Sequence, residues 1–528
     1  MNPSRRAFFQ HTAVASTTGV FGGLGLSACT TVPTAPLDPL LSLGAGELVQ
    51  AIKAGRVKAE SYMSAVIAQA KAMNDLNALI SMDEAAAMAA ARQVDADRAA
   101  SKPLGALAGL PLVVKDNINT KAMKTTAGTP ALRNFQPTSN APSLQKLLDA
   151  GAILLGKSNL HEWAFGITST NFTLGTDPRG HAIRPCRNPY DKSRIPGGSS
   201  GGTAVAIAAR FAPAGLGTDT GGSTRVPAAF CGIAGFRPSV GNGAGKGRRY
   251  NDPFGAAPIS TTRDTLGPMA RTVADLALLD SVIAGTPLPT AKPLAGLRVG
   301  IPTSFWQGLD DSVRPVAQAA RKKLSDAGVV FVEADLKGIW ELNNLVSFQL
   351  ALHEPVRDIP AYLAANKAPV RTVQEVANAL ASPDVQGAFG AILGDVFGAA
   401  YDAAINTHRP AMQALYANYF RANQVDAVLF PTTVLAAPPI DAAQGSGKLS
   451  YTVDGIVQKD KETFNTCIRN TDPCTNAGIP SLSIPAGLTA GGLPVGMQID
   501  GPLGSDRDLL AMGMAFESVW GPIRSPAL

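Results

Sequence analysis

Between Gly46 and Met73 ("GELVQAIKAGRVKAESYMSAVIAQAKAM") apolar residues recur at three- and four-residue steps, and an alanine-rich run follows. That period predicts helices over roughly residues 41–100. From Gly109 the texture changes. Short apolar runs, "LPLVV" (Leu110–Val114) and "AILLG" (Ala152–Gly156), alternate with helical stretches such as "APSLQKLLDAG" (Ala141–Gly151). The alternation predicts an α/β sheet with helices on its faces. "TPLPTAKPLAG" (Thr286–Gly296) reads as a linker, "LRVGIP" as another strand, and a long helical stretch runs from about 310 to 424. "DAVLFP" and "SLSIPAG" then return to strand character. With no internal repeat, the pattern favours one sheet-based domain with a helical insertion over two independent domains.

Composition narrows the class. The 528 residues are 45% hydrophobic and 16% charged, rich in small residues, with a formal charge of +6 to which Arg5 and Arg6 contribute. Lys246, Arg248 and Arg249 form a short basic cluster without interleaved aromatics, read as a solvated loop rather than a nucleic-acid site. "SRRAFFQ" (Ser4–Gln10) precedes an acid-free apolar stretch that ends in "LSAC" (Leu26–Cys29). The stretch is too short and too rich in Gly and Thr for a spanning helix. It resembles a twin-arginine export signal over residues 1–28, and "LSAC" resembles a lipoprotein box. Lipid on Cys29 and a Pro-rich tether over 29–42 would then hold the protein on the membrane, on the periplasmic side, with the anchor as its only membrane contact. Cys186, Cys231, Cys467 and Cys474 are too few for a disulfide scaffold, although Cys467 and Cys474 are close enough in sequence to pair. Their spacing, without a nearby His, argues against zinc.

Three stretches carry candidate chemistry. "GLPLVVKDNI" places Lys115 just past a buried strand. "RIPGGSSGGTAVAIAAR" (Arg194–Arg210) opens a small-residue helix with a glycine-flanked pair, Ser199 and Ser200. "GLGTDTGGSTRVPAAFCG" sets Ser223 in a glycine bend between Asp219 and Arg225. No G-x-x-x-x-G-K-[ST] phosphate loop occurs. Gly197–Gly201 fits a G-x-S-x-G elbow, but that chemistry needs a histidine, and His353 and His408 fall in the helical stretch while His161 and His181 precede the serine pair or sit just ahead of it.

A mechanism without histidine fits better. Burial lowers a lysine's pKa, and a fall of about three units from about 10.4 corresponds to about 4 kcal/mol against the charged form. Neutral Lys115 can then take a proton relayed through one serine from a second. Ser223 is the nucleophile in this reading, with the bare backbone of Thr220, Gly221, Gly222 and Ser223 lining an oxyanion site. Asp219 and Arg225 pair to brace the loop, and Ser200 supports the network. The relay requires no metal or organic cofactor.

With "VVKDN", "GGSSGG" and "GTDTGGSTRVPAAFCG" in this order, and "GIPSLSIPAG" and "GLPVGMQIDG" as later landmarks, the chain resembles the amidase signature family from about Leu43 to its C-terminus. The resemblance implies a large mixed twisted β-sheet covered by helices on both faces, within a domain 43–528 whose motif core spans 104–285. It also implies a Ser–cis-Ser–Lys triad: Lys115 as base, Ser199 as the bridging serine after a cis peptide, and Ser223 as the acylated serine. Family spacing, not the residues alone, selects Ser199 over Ser200. "NDPFGAAPISTTRDTLGPMARTVADLALLDSVIAG" is most similar to the branch of mandelamide and indoleacetamide hydrolases, which implies a small amide as substrate. Two longer loops, residues 174–190 and 240–253, depart from that branch, and Trp163 either lines the pocket or packs behind it. A peptide C-terminal amide hydrolase and an amidotransferase A-type subunit share the motifs, and the leader argues against the second. A homodimer is compatible with the sequence.

Overall fold

The computed structural model describes residues 38–173, 185–242 and 247–528. Residues 1–37, with Arg5, Arg6 and Cys29, and also His181 and Lys246 lie outside the described residues. Thirteen strands are formed: β1 (Leu79–Met82), β2 (Pro111–Lys115), β3 (Ile153–Ser158), β4 (Ala214–Asp219), β5 (Ala234–Arg237), β6 (Thr265–Ala270), β7 (Arg298–Ile301), β8 (Val330–Glu333), β9 (Ala427–Pro431), β10 (Lys448–Val453), β11 (Ile456–Glu462), β12 (Ser481–Leu488) and β13 (Pro494–Asp500). Eleven share one sheet in the order β1-β3-β2-β4-β6-β5-β12-β13-β9-β7-β8, and β10 and β11 make a separate hairpin. The sheet is mixed: β3, β2 and β4 run parallel, as do β9, β7 and β8, while β4–β6, β5–β12 and β12–β13 are antiparallel.

Every residue of β2, β4 and β6 is buried. Successive side chains point to opposite faces, so both faces of the sheet's centre must be covered. Helix Gly201–Ala208 ("GGTAVAIA") is buried along its whole length, and its small side chains let it lie close to the sheet. The amphipathic N-terminal segment forms helices Ala45–Lys53, Ala59–Ala72 and Glu84–Ala99, the last capped by Asp83, which accepts from the Ala86 N–H. Among the described residues no single helix is long and apolar enough to cross a membrane.

Two expectations need correcting. The segment 41–100 is not helical throughout, because Leu79–Met82 pairs antiparallel with β3 as the edge strand β1. The stretch from about 310 to 424 is not helical throughout, because β8 extends the sheet beside β7. The β-branched run Val329, Val330 and Val332, entered through Gly328 in the left-handed region (φ +95), suits an edge strand better than a helix. The remainder is helical, from Arg314–Asp326 to Arg409–Asn423. The Pro-rich run 286–296 connects helix Val273–Ala284 to β7 of the same sheet, so it joins neighbouring parts of one core.

Candidate active site

β2 and β4 are parallel neighbours, so their C-terminal ends, Lys115 and Asp219, arrive at the same edge of the sheet. That edge is where open α/β sheets place ligands. Lys115 is fully buried. Its Nζ lies 2.7 Å from Oγ of Ser199 and 2.7 Å from Oγ1 of Thr218. Burial pushes its pKa down to about 7, against the opposing pull of Asp219 and Asp264. A group with this pKa is substantially neutral at physiological pH and has a lone pair to offer.

The serine pair divides. Ser199 follows a cis peptide bond from Gly198, and its carbonyl accepts from the His161 N–H at 3.2 Å. Ser200 turns the other way: its Oγ donates to the Thr218 carbonyl at 3.1 Å and its N–H donates to the Ser223 carbonyl at 3.2 Å. Ser199 therefore meets Lys115, while Ser200 ties the serine loop to the Ser223 turn. Gly217 makes room for this. A Cβ there would stand 2.7 Å from Ser200 Oγ.

Asp219 organises the turn that carries Ser223. It accepts from the Gly222 N–H (3.0 Å), the Thr224 N–H (3.1 Å), the Arg225 Nε and Nη2 (3.0 and 2.9 Å) and the Arg237 Nη1 (3.2 Å). Burial alone would raise its pKa, but the two guanidiniums outweigh burial and hold the carboxyl well below the usual carboxylate range. Arg225 reaches on to the Thr471 carbonyl and Thr475 Oγ1, linking the turn to the C-terminal part of the chain. The Asp219–Arg225 pair is thus a bracing element. Replacing Asp219 by Ala leaves two buried guanidiniums without their carboxylate and is expected to cost about 3–5 kcal/mol. A denaturant midpoint unchanged from wild type would contradict that reading.

The oxyanion expectation is corrected at one residue. Gly222 N–H is already bonded to Asp219, so it is no free donor. Gly222 contributes shape instead: its φ is +136, and a Cβ there would lie 2.2 Å from Thr471 Oγ1. Among the described residues, the N–H groups of Gly221 and Ser223 meet no acceptor, and neither does the Ser223 hydroxyl. Thr220 is held by its side chain, which donates to Asp264 at 2.5 Å, and by its carbonyl, which accepts from Arg263 at 2.8 Å. Burial raises the Asp264 carboxyl to about 6.

Ser223, 6% exposed, opens on a cavity of about 200 Å³ walled by Phe165, Ile167, Phe348, Leu352, Phe464 and Asp384. A second cavity, of about 430 Å³ and lined by Asn117, Thr218, Asp264 and Tyr362, shares Ala164, Thr220 and Ile259 with the first. Trp163 lines neither. It is fully buried, donates from Nε1 to the Pro258 carbonyl at 3.1 Å and sets its edge against Phe389, so it packs.

The basic cluster also departs from expectation. Arg249 pairs with both oxygens of Asp280 (2.6 and 2.5 Å), and Arg248 donates to the Asp264 and Thr261 carbonyls. Both are structural cations, because helix Val273–Ala284 and the Asp264 loop supply acceptors distant in sequence. A second buried lysine, Lys157 at the end of β3, escaped the sequence reading. It bonds the Ile118 carbonyl (2.7 Å) and Thr125 Oγ1 (2.9 Å) and stands 3.3 Å from Asp116. Its signal was available, since "AILLGKS" repeats the strand-then-lysine pattern of "LPLVVK". The four described cysteines are free and buried.

The model of the family described as Amidase matches residues 62–510. The chain is 42% identical over 463 residues to an indoleacetamide hydrolase of Rhizobium radiobacter, covering 86% of this chain and 92% of the relative. It is 39% identical over 479 residues to a mandelamide hydrolase of Pseudomonas putida, covering 88% and 89%. The solved structure of a peptide amidase from Stenotrophomonas maltophilia superposes with a TM-score of 0.71 at 29% identity, covering 93% of this chain and 99% of that one.

Proposed function

This chain belongs to the amidase family and hydrolyses amides, and from that premise we propose that Ser223 takes the acyl group, Ser199 relays the proton and Lys115 is the base. The observation that carries the assignment is a buried lysine with its pKa pushed down to about 7, 2.7 Å from the Ser199 hydroxyl. As Ser223 Oγ bonds the amide carbon, its proton passes to Ser199 Oγ while the Ser199 proton passes to Lys115 Nζ. Charge on the carbonyl oxygen is met by the free N–H groups of Gly221 and Ser223. When the C–N bond breaks, the Lys115 ammonium returns a proton through Ser199 to the departing nitrogen. Water then attacks the ester on Ser223 by the same relay, releasing the carboxylate and restoring the hydroxyl.

The substrate read best by the pocket is a small arylacetamide. The relatives named for indoleacetamide and mandelamide act on amides of that size, and the cavity beside Ser223 has three phenylalanines in its wall. A peptide amide is the second reading, favoured by the larger adjoining cavity. The rate constants kcat/KM of the purified chain, without partner subunits, on arylacetamides and on capped dipeptide amides separate the two. The first reading requires the arylacetamides to be the better substrates.

For location we propose export and lipid attachment, on the motif Arg5-Arg6 ahead of Leu26–Cys29. The mature protein is expected in the membrane fraction with acyl chains on an N-terminal Cys29, and Cys29→Ser is expected to release it or block its processing. Wild-type protein recovered from the cytosol with Met1 retained would contradict this.

A further inference from the structure

One carboxylate in the wall of the Ser223 cavity has no guanidinium or ammonium on it. Asp384 stands in the first turn of helix Pro383–Leu393, with its side chain 17% exposed. Its Oδ1 accepts from the Val385 N–H at 3.0 Å. Its Oδ2 lies 3.1 Å from Nε2 of His161, an imidazole that is fully buried, but the pair is too poorly aligned for a full hydrogen bond. The other charged pair on this cavity is paired directly: Arg263 bonds Asp472 at 2.7 Å and also donates to the Ser347 and Thr220 carbonyls. Oδ2 thus has the imidazole and the Ser446 hydroxyl as its polar neighbours, and the partly exposed side chain meets the cavity between phenylalanine and leucine side chains.

The site is held firmly. Glu162 accepts from the Ser382 N–H at 2.7 Å, which fixes the start of the Asp384 helix against the loop that carries His161. The backbone at Gly166 closes over the imidazole so tightly that a Cβ there would stand 2.2 Å from Nε2. His161 in turn donates its backbone N–H to the Ser199 carbonyl, tying this wall to the serine loop. Burial works against ionisation of Asp384, and His161 outweighs it, keeping the carboxyl below its ordinary range and so an acceptor only.

We propose that Asp384 is a specificity-determining residue that reads a hydrogen-bond donor, an N–H or O–H group, on the acyl portion of the substrate. The inference rests on the arylacetamide reading of the same cavity. A site built to accept from a donor discriminates strongly against the analogue lacking it, because the buried acceptor is then left unpaired in an apolar wall. A hydrogen bond to an ionised partner makes the discrimination larger. Ser446, which lines the same cavity, has its hydroxyl close enough to favour the ionised carboxylate.

The test compares matched substrates on wild type, Asp384→Asn and Asp384→Leu. Mandelamide, 4-hydroxyphenylacetamide and indole-3-acetamide are each set against their O-methyl or N-methyl counterparts, with phenylacetamide as reference. For at least one pair the wild-type kcat/KM ratio of donor to methylated substrate is expected to exceed ten, and to fall at least tenfold in Asp384→Leu. The pair that responds identifies where the donor sits: on the α carbon, on the ring hydroxyl or on the ring nitrogen. Each ratio is taken within one variant, so a loss of folded protein cancels, and the near-isosteric Asp384→Asn is expected to show the same change at smaller size. Ratios near one in wild type, or ratios unchanged in both variants, would overturn the proposal. Phenylacetamide turnover without any donor advantage removes this inference alone. No turnover of any arylacetamide removes the substrate reading and this inference together.

Discussion

Ser223→Ala is expected to fold like the wild type and to lose about 10⁴-fold or more in amide hydrolysis, because the proposed acyl acceptor is gone. The hydroxyl makes no hydrogen bond to the described protein and faces the cavity, so its removal leaves no buried group unpaired. Ser199→Ala is expected to fall almost as far, since Lys115 then loses the hydroxyl proposed to link it to Ser223. The control is Ser200→Ala. It loses a bond to the Thr218 carbonyl and is expected to cost stability more than catalysis. Equal damage at Ser199 and Ser200 would mean that the cavity's shape, not the relay, was being measured.

Lys115→Arg is the second large effect. Arginine stays charged in proteins and cannot act as a base. If Lys115 works neutral, Lys115→Arg and Lys115→Ala are both expected to fall by about 10²–10⁴-fold, the range of a lost general base. A lysine that merely supplied positive charge would be replaced by arginine with substantial activity kept. The pH profile gives an independent reading. In the proposed relay the active form is the unprotonated one, and burial pushes the pKa down to about 7, so kcat/KM is expected to rise with pH through about 7 and then level. The same shift acts on stability. Between about 7 and the unfolded lysine value, the unfolded chain binds the extra proton, so this group's contribution to stability rises with pH across that window and its full cost is present below it. A flat activity profile down to about pH 5, with an active Lys115→Arg, would remove Lys115 from the mechanism.

Much of this site was legible locally. A five-residue apolar run ending in lysine announces a buried strand with a cation at its end, and β2 is that strand. The glycine bend around Ser223 announces an exposed backbone, and Asp219 and Arg225 are close enough in sequence to pair. What sequence could not carry is contact over distance. Only the packing shows that Ser200 turns to Thr218 and leaves Ser199 to Lys115. Arg248 and Arg249 read as solvated because their acceptors, on Asp264, Thr261 and Asp280, come from other segments. Trp163 could not be placed before Pro258 and Phe389 were seen around it. Asp384 lies more than two hundred residues from His161, and nothing in "ASPDVQG" marks it as part of a cavity. β8 was overlooked for a different reason: four residues between long helices give too short a period to compete with the helical pattern around them.

The central claim is a covalent acyl group on Ser223, and the most direct measurement is to trap it. The purified enzyme is mixed with an arylacetamide, quenched in acid within the first turnovers and digested for peptide mass spectrometry, with a parallel reaction run in hydroxylamine. The account predicts an acyl mass on the peptide containing Ser223, absent in Ser223→Ala, and a hydroxamic acid formed at the expense of the carboxylate. Hydrolysis at the full rate by Ser223→Ala, with no hydroxamate diverted from either protein, would contradict it.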